Sequence, residues 1–201
     1  MNYEIVVADP AKNITLMVLS QTENRLETAR YLMALPYLEA EQVGFVTPPQ
    51  APGGLWHLEM AGGEFCGNAA RSFGLFAALQ QGVRGAGSVS ISISGMKEPL
   101  SIAVNTAEGR AAAAIPAPVF KRGLDFYGKT LTAYGFEGIT HLIAPDILPD
   151  REAFFALKAQ CERFLPPAPA LGVMFYQQAQ AVMTPAVYVY QTDALVFESS
   201  C

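Results

Sequence analysis

The stretch that most constrains the fold is Met60-Ala-Gly-Gly-Glu-Phe-Cys-Gly-Asn-Ala-Ala-Arg-Ser-Phe-Gly74. A glycine pair and an acid lead to Cys66, and from Gly67 to about Gln81 the pattern is helical. Between Cys66 and Gln80 the only charged residue is Arg71, and Ala69, Phe73, Phe76, Ala77 and Leu79 leave almost no polar face. A helix apolar nearly all round belongs inside a domain rather than on its surface. A cysteine at its first turn stands where backbone N–H groups and the positive end of the helix dipole meet. That position favours the thiolate and receives anions. A structural cysteine more often lies mid-helix among apolar neighbours, so this placement favours chemistry.

The rest of the chain supplies material for one large domain or two small ones: 201 residues, 51% hydrophobic and 15% charged, which is a core-rich and globular composition. A net charge of −5 without a Lys/Arg cluster argues against nucleic acid as a partner. No apolar run has the length of a membrane span, and the start Met-Asn-Tyr-Glu-Ile-Val-Val has no signal-peptide pattern. The expected compartment is therefore cytoplasmic, with no membrane partner. Three cysteines, Cys66, Cys161 and Cys201, are too few and scattered for a disulfide framework, and no CxxC or His-Cys spacing marks a metal site.

Alternation at Tyr3, Ile5, Val7 and again at Ile14, Leu16, Val18 predicts two strands joined by a short turn. Gln21 to Leu35 reads as a helix with Thr22 as its N-cap and Pro36 as its stop. Gln42 to Thr47 and Leu55 to Met60 are strands, the second feeding the Cys66 helix. Val89 to Ser94, Leu100 to Val104 and Ala111 to Ile115 are further strands. Phe120 to Tyr127 reads as a segment crossing into a second half. There, Gly138 to Ala144 is a strand and Arg151 to Leu165 a helix with Phe154, Leu157, Cys161 and Phe164 on one stripe. Cys161 is read as structural, because it sits among apolar residues. Ala170 to Tyr176 and Ala186 to Tyr190 are strands, and Leu195-Val-Phe-Glu-Ser-Ser-Cys201 leads into another cysteine. Cys66 and Cys201 thus occupy matching places in two consecutive units, a weak internal repeat. By that logic the second unit is expected to be incomplete. The domains expected are 1–118, holding the first cysteine, and 119–201, ending at the second.

Glu64-Phe-Cys-Gly-Asn-Ala-Ala-Arg71 resembles the first catalytic motif of the diaminopimelate epimerase-like family of cofactor-independent amino-acid racemases and epimerases. Ala8-Asp-Pro-Ala-Lys-Asn-Ile-Thr15 resembles that family's N-terminal asparagine segment, and Phe197-Glu-Ser-Ser-Cys201 the approach to its second catalytic cysteine. The resemblance implies an α/β (α+β) fold of two pseudo-symmetric halves, each a curled mixed sheet wrapped around a central helix, with the active site between them. It implies Cys66 and Cys201 as paired acid and base on opposite faces of an amino-acid Cα, with no cofactor. It assigns the N–H groups of Gly67 and Asn68 to the substrate carboxylate and Asn13 to substrate contact. Asn13 reads equally as a turn residue after Asp9-Pro10. His57, on the strand entering the helix, is placed either toward the substrate side chain or as an ordinary half-exposed strand residue. A homodimer is left as an option.

Departures from the family pattern bear on the substrate. Glu198 is followed by Ser199 and Ser200, where the diaminopimelate enzymes carry an arginine for the distal carboxylate. Without that bidentate partner, another amino acid is expected; relatives that racemise histidine are one candidate group. Proline-racemase relatives place His after Cys-Gly, where this chain has Asn68. A thiol hydrolase using Cys66 with His57 or His141, and a binding protein without turnover, are the alternatives of other classes.

Overall fold

The computed structural model describes residues 2–115 and 117–199. Cys201, expected as the second catalytic cysteine, therefore lies outside the described residues. The chain divides into two compact units, with the break after Ile115. The fold is α/β, and the described residues form a mixed seven-stranded sheet, a mixed six-stranded sheet and three α-helices.

The first unit runs β1 (Ile5–Ala8), β2 (Thr15–Val18), α1 (Arg25–Met33), β3 (Gln42–Thr47), β4 (Trp56–Met60), α2 (Gly67–Gln80), β5 (Ala86–Ile93), β6 (Leu100–Asn105) and β7 (Arg110–Ala113). The strands lie in sequence order across the sheet. β1 and β2 are antiparallel, β2 and β3 parallel, and β3 and β4 antiparallel. A parallel neighbour requires a crossover, and α1 supplies it. Alternation in the strands then sorts two cores. Leu58, Met60, Ile91, Ile93 and Ile102 join Phe73 and Ala77 of α2. On the other face Leu16, Val18, Val43 and Phe45 join Ala29 and Leu32 of α1.

α2 packs against β4, β5, β6 and β7. Gly74 permits this approach, because a Cβ there would stand 2.5 Å from the Ile102 side chain. Residues of both edge strands, Val7 and Ala111, line one open groove of about 810 Å³ together with Leu75 and Phe76 of α2. The sheet therefore curls around the helix. The burial of α2 is less complete than its composition predicts: Leu79 is 46% exposed, and Arg71, Ser72, Leu75 and Phe76 are half-buried along the groove.

The second unit runs β8 (Phe120–Phe126), β9 (Lys129–Gly135), β10 (Ile139–Pro145), α3 (Arg151–Phe164), β11 (Ala170–Gln177), β12 (Val182–Val189) and β13 (Ala194–Phe197). β9 and β10 are antiparallel, β10 and β11 parallel across α3, and β11 and β12 antiparallel. This is the pairing of β1-β2-α1-β3-β4 over again. α3 is thus the counterpart of α1, and no counterpart of α2 stands among the described residues. Phe154, Leu157 and Cys161 of α3 are buried as expected, while Phe164 is 48% exposed, its ring faced by Arg163.

Three local expectations are corrected. α1 begins at Arg25, because Asn24 caps it by accepting the Glu27 N–H at 3.1 Å. The Thr22 hydroxyl instead bonds that of Thr28 at 2.7 Å. The segment after Phe120 does not simply cross over but forms a hairpin, β8–β9, turned by Tyr127 and Gly128 at φ 50° and 77°. β8 is an edge strand with only Leu124 buried, so its alternation is faint in the sequence.

Candidate active site

The loop that delivers Cys66 is held from below. Ser94, at the end of β5, accepts the Met60 N–H at 2.8 Å and donates to the Glu64 carbonyl at 2.9 Å. Gly95 follows at φ 74°, and a Cβ there would stand 2.4 Å from the Phe65 backbone nitrogen. Glu64 is buried and its carboxylate accepts the Gly62 N–H at 3.0 Å, bracing the same loop. Burial pushes the Glu64 carboxyl above its ordinary range, against the lowering effect of its backbone hydrogen bonds.

Cys66 is the N-cap of α2 in extended conformation, and its Sγ accepts the Ala69 N–H at 3.4 Å. A cap position is more often filled by Ser, Thr, Asp or Asn, whose oxygen serves the same N–H. Sulfur in that role is bonded to a backbone donor at the positive end of a helix, two influences that favour its anionic form. Gly67 has open space where a side chain would stand, with no atom within 4 Å of an added Cβ.

Asn68 and Asn13 meet below this helix start. The Asn68 Nδ2 donates to Asn13 Oδ1 at 3.1 Å, and Gln42 Nε2 donates to the same oxygen at 2.5 Å. Asn13 Nδ2 donates to Glu41 at 2.7 Å, and Asn13 is fully buried. Its amide joins β2 and β3 to the first turn of α2. Arg71, three residues along the helix, donates to Asn68 Oδ1 from Nε at 3.1 Å and from Nη2 at 2.9 Å. Cys66, Gly67, Asn68 and Asn13 are thus brought together. Glu41, Gln42 and Arg71 join them without having been singled out as functional in the sequence. The signal for Arg71 was its solitude, as the lone charge in an apolar helix.

His57 lies elsewhere. Its Nδ1 pairs with the Ser92 hydroxyl at 2.5 Å and its Nε2 with Glu59 at 3.0 Å. Its neighbours Leu58 and Met60 point into the α2 core, so alternation turns His57 to the opposite face of the sheet. In the second unit, His141 packs edge-on to Phe136 with Nδ1 buried and lacking a hydrogen-bond partner among the described residues. Burial pushes Cys161 up to about 12, in keeping with a structural thiol. Among the described residues no group of acids, histidines and cysteines is placed to hold a metal ion, and no helix is long and apolar enough to cross a membrane.

Residues 3–201 match the family model described as the histidine racemase CntK N-terminal domain. The chain belongs to this family. Its histidine racemase relatives include two proteins from strains of Fusobacterium nucleatum subsp. nucleatum. One is 32% identical over 211 residues, covering 98% of this chain and 76% of that protein. The other is 30% identical with the same coverage. A histidine racemase of Staphylococcus aureus is 23% identical over 208 residues, covering 96% of this chain and 73% of its own. Membership in the histidine racemase family makes the protein an isomerase of the amino-acid racemase class. The family match runs the length of both units, so the helix start at Cys66 and the approach to Cys201 both fall inside it.

Proposed function

We propose that the protein interconverts the enantiomers of histidine without a cofactor, using Cys66 and Cys201 as its two bases, on a diaminopimelate epimerase-like fold. The observation that carries this reading is Cys66 as the N-cap of α2, its sulfur accepting a backbone N–H. The relatives named histidine racemases support the substrate, and the absence of an arginine after Glu198 agrees with an amino acid that has no distal carboxylate. The break after Ile115 supports assigning residues 1–118 to a half that carries the first cysteine and 119–201 to a half that ends at the second.

Inversion at Cα requires one group to remove a proton from one face and another to return one to the other. A thiolate and a thiol meet that need and exchange roles with direction: S⁻ takes the Cα proton, S–H gives its own, and the enzyme is left in the opposite protonation state. The carbanion formed in between places negative charge on the α-carboxylate. The N–H groups of Gly67 and Asn68, at the positive end of α2, are suited to receive it. Asn13 holds Asn68, and so supports those donors. His57 has no part in this scheme, since both ring nitrogens are engaged on the other sheet face.

The test is L-histidine in D₂O, followed by chiral chromatography and mass spectrometry alongside a panel of other amino acids. D-Histidine carrying one deuterium at Cα is expected. A panel in which histidine is inert and another amino acid racemises would overturn the substrate, and no Cα exchange with any amino acid would overturn the mechanism.

A further inference from the structure

Arg71 is a cation just past the first turn of α2. It is also the only charged residue of α2. Its guanidinium has a specific engagement there, with Nε and Nη2 converging on one atom, the Asn68 oxygen. A guanidinium can only donate, so the atom facing it must be Oδ1, and the Asn68 Nδ2 is thereby turned to Asn13. At the far end the Glu41 carboxylate can only accept, so it draws Asn13 Nδ2 and leaves Asn13 Oδ1 for Asn68 and Gln42. Two charged ends thus fix two amides that could each otherwise turn over. An inverted Asn68 would set its oxygen against the Asn13 oxygen, and the link between the helix start and β2 would be lost.

We infer that Arg71 is a positioning residue for racemisation: through Asn68 it holds the first turn of α2, and with it Cys66 and the two N–H donors, against β2 and β3. The inference rests on the proposed racemase reading for its catalytic meaning, while the geometry it concerns is independent of substrate.

The experiment compares the parent protein with Arg71→Met, which keeps the apolar stem, and Arg71→Lys, which keeps the charge but not the fork. Alkylation of Cys66 by iodoacetamide, followed by peptide mass spectrometry across pH, requires no substrate. The Met variant is expected to react at least about threefold more slowly at pH 7, with its profile displaced to higher pH, because the thiolate is the reacting form. Histidine turnover is expected to show kcat lowered about tenfold or more with KM changed by less than about threefold. The Lys variant should fall between the two. In an Asn68→Ala background, Arg71→Met should add no further loss of kcat, since its action passes through Asn68. An alkylation profile that superimposes on the parent's, or a full additional loss of kcat in the Asn68→Ala background, would overturn the inference. A parent that racemises nothing would count against the racemase reading alone, and the alkylation profiles would still decide the role of Arg71.

Discussion

His141 holds a buried ring nitrogen with no hydrogen-bond partner among the described residues, and burial depresses its pKa from 6.5 to about 4. The unfolded chain therefore binds a proton between pH 6.5 and 4 that the folded one refuses, so stability falls as pH drops through that window. With partial exposure discounted, the loss is on the order of 2 kcal/mol by pH 4. His141→Phe should flatten this dependence in urea titrations at pH 4.5 and 7.5, while keeping the ring that rests on Gly172 and Phe136. At Cys66, substitution by Ala is expected to abolish racemisation while shifting the melting temperature by no more than a few degrees. The lost cap is worth only about 1 kcal/mol, and the side chain is half-buried. Retained racemisation in that variant would end the two-base scheme. The places of Cys66 and Cys161 on their helices were legible in the sequence. Cys66 reads as reactive because it opens the helix, and Cys161 as inert because it lies in its middle. Asn13, Glu41, Gln42 and Arg71 were not legible as a group, because their meeting depends on a parallel strand pair and a helix separated by up to 58 positions in sequence.

At the scale of elements, the Ser94–Gly95 turn and the Cys66 loop form one construction. Gly95→Ala would force an L residue to φ 74° and drive a methyl into the Phe65 backbone, which has no flexible side chain to yield. The expected cost is about 2–4 kcal/mol, read from chemical denaturation, and the displaced loop should lower turnover beyond what the lost stability explains. A variant with parent stability would show that the loop does not depend on this contact. Most strands and both long helices could be read from alternation, caps and proline stops. β8 and β9 could not be read as a hairpin, because an edge strand buries one side chain and its charges Lys121, Arg122 and Asp125 mask the period. The start of α1 slipped because Thr22 and Asn24 are both capping residue types, and only the hydrogen bond to Glu27 distinguishes them.

At the scale of the molecule, a repeat is carried by the sheets: strand, strand, helix, strand, strand, with β2–β3 parallel across α1 and β10–β11 parallel across α3. The pairing order itself has no signature in composition. Each unit has its own hydrophobic clusters. The single tryptophan, Trp56, reports only on the first, so tryptophan fluorescence and far-UV circular dichroism should give non-coincident urea transitions. Coincident curves would mean that the units melt as one.

Among the described residues, every strand partner of β1 through β7 lies within the first 115. Parallel pairing across α1 is costly to nucleate because its loop must close first. On the ribosome that delay has time to elapse. At roughly 5–20 residues per second, the remaining 86 residues take about 4–17 s to appear, a span in which the Cys66 unit can complete its own sheet. Two copies of one strand plan, synthesised in succession, are thereby kept from exchanging partners: the earlier sheet is already closed to its late-born twin.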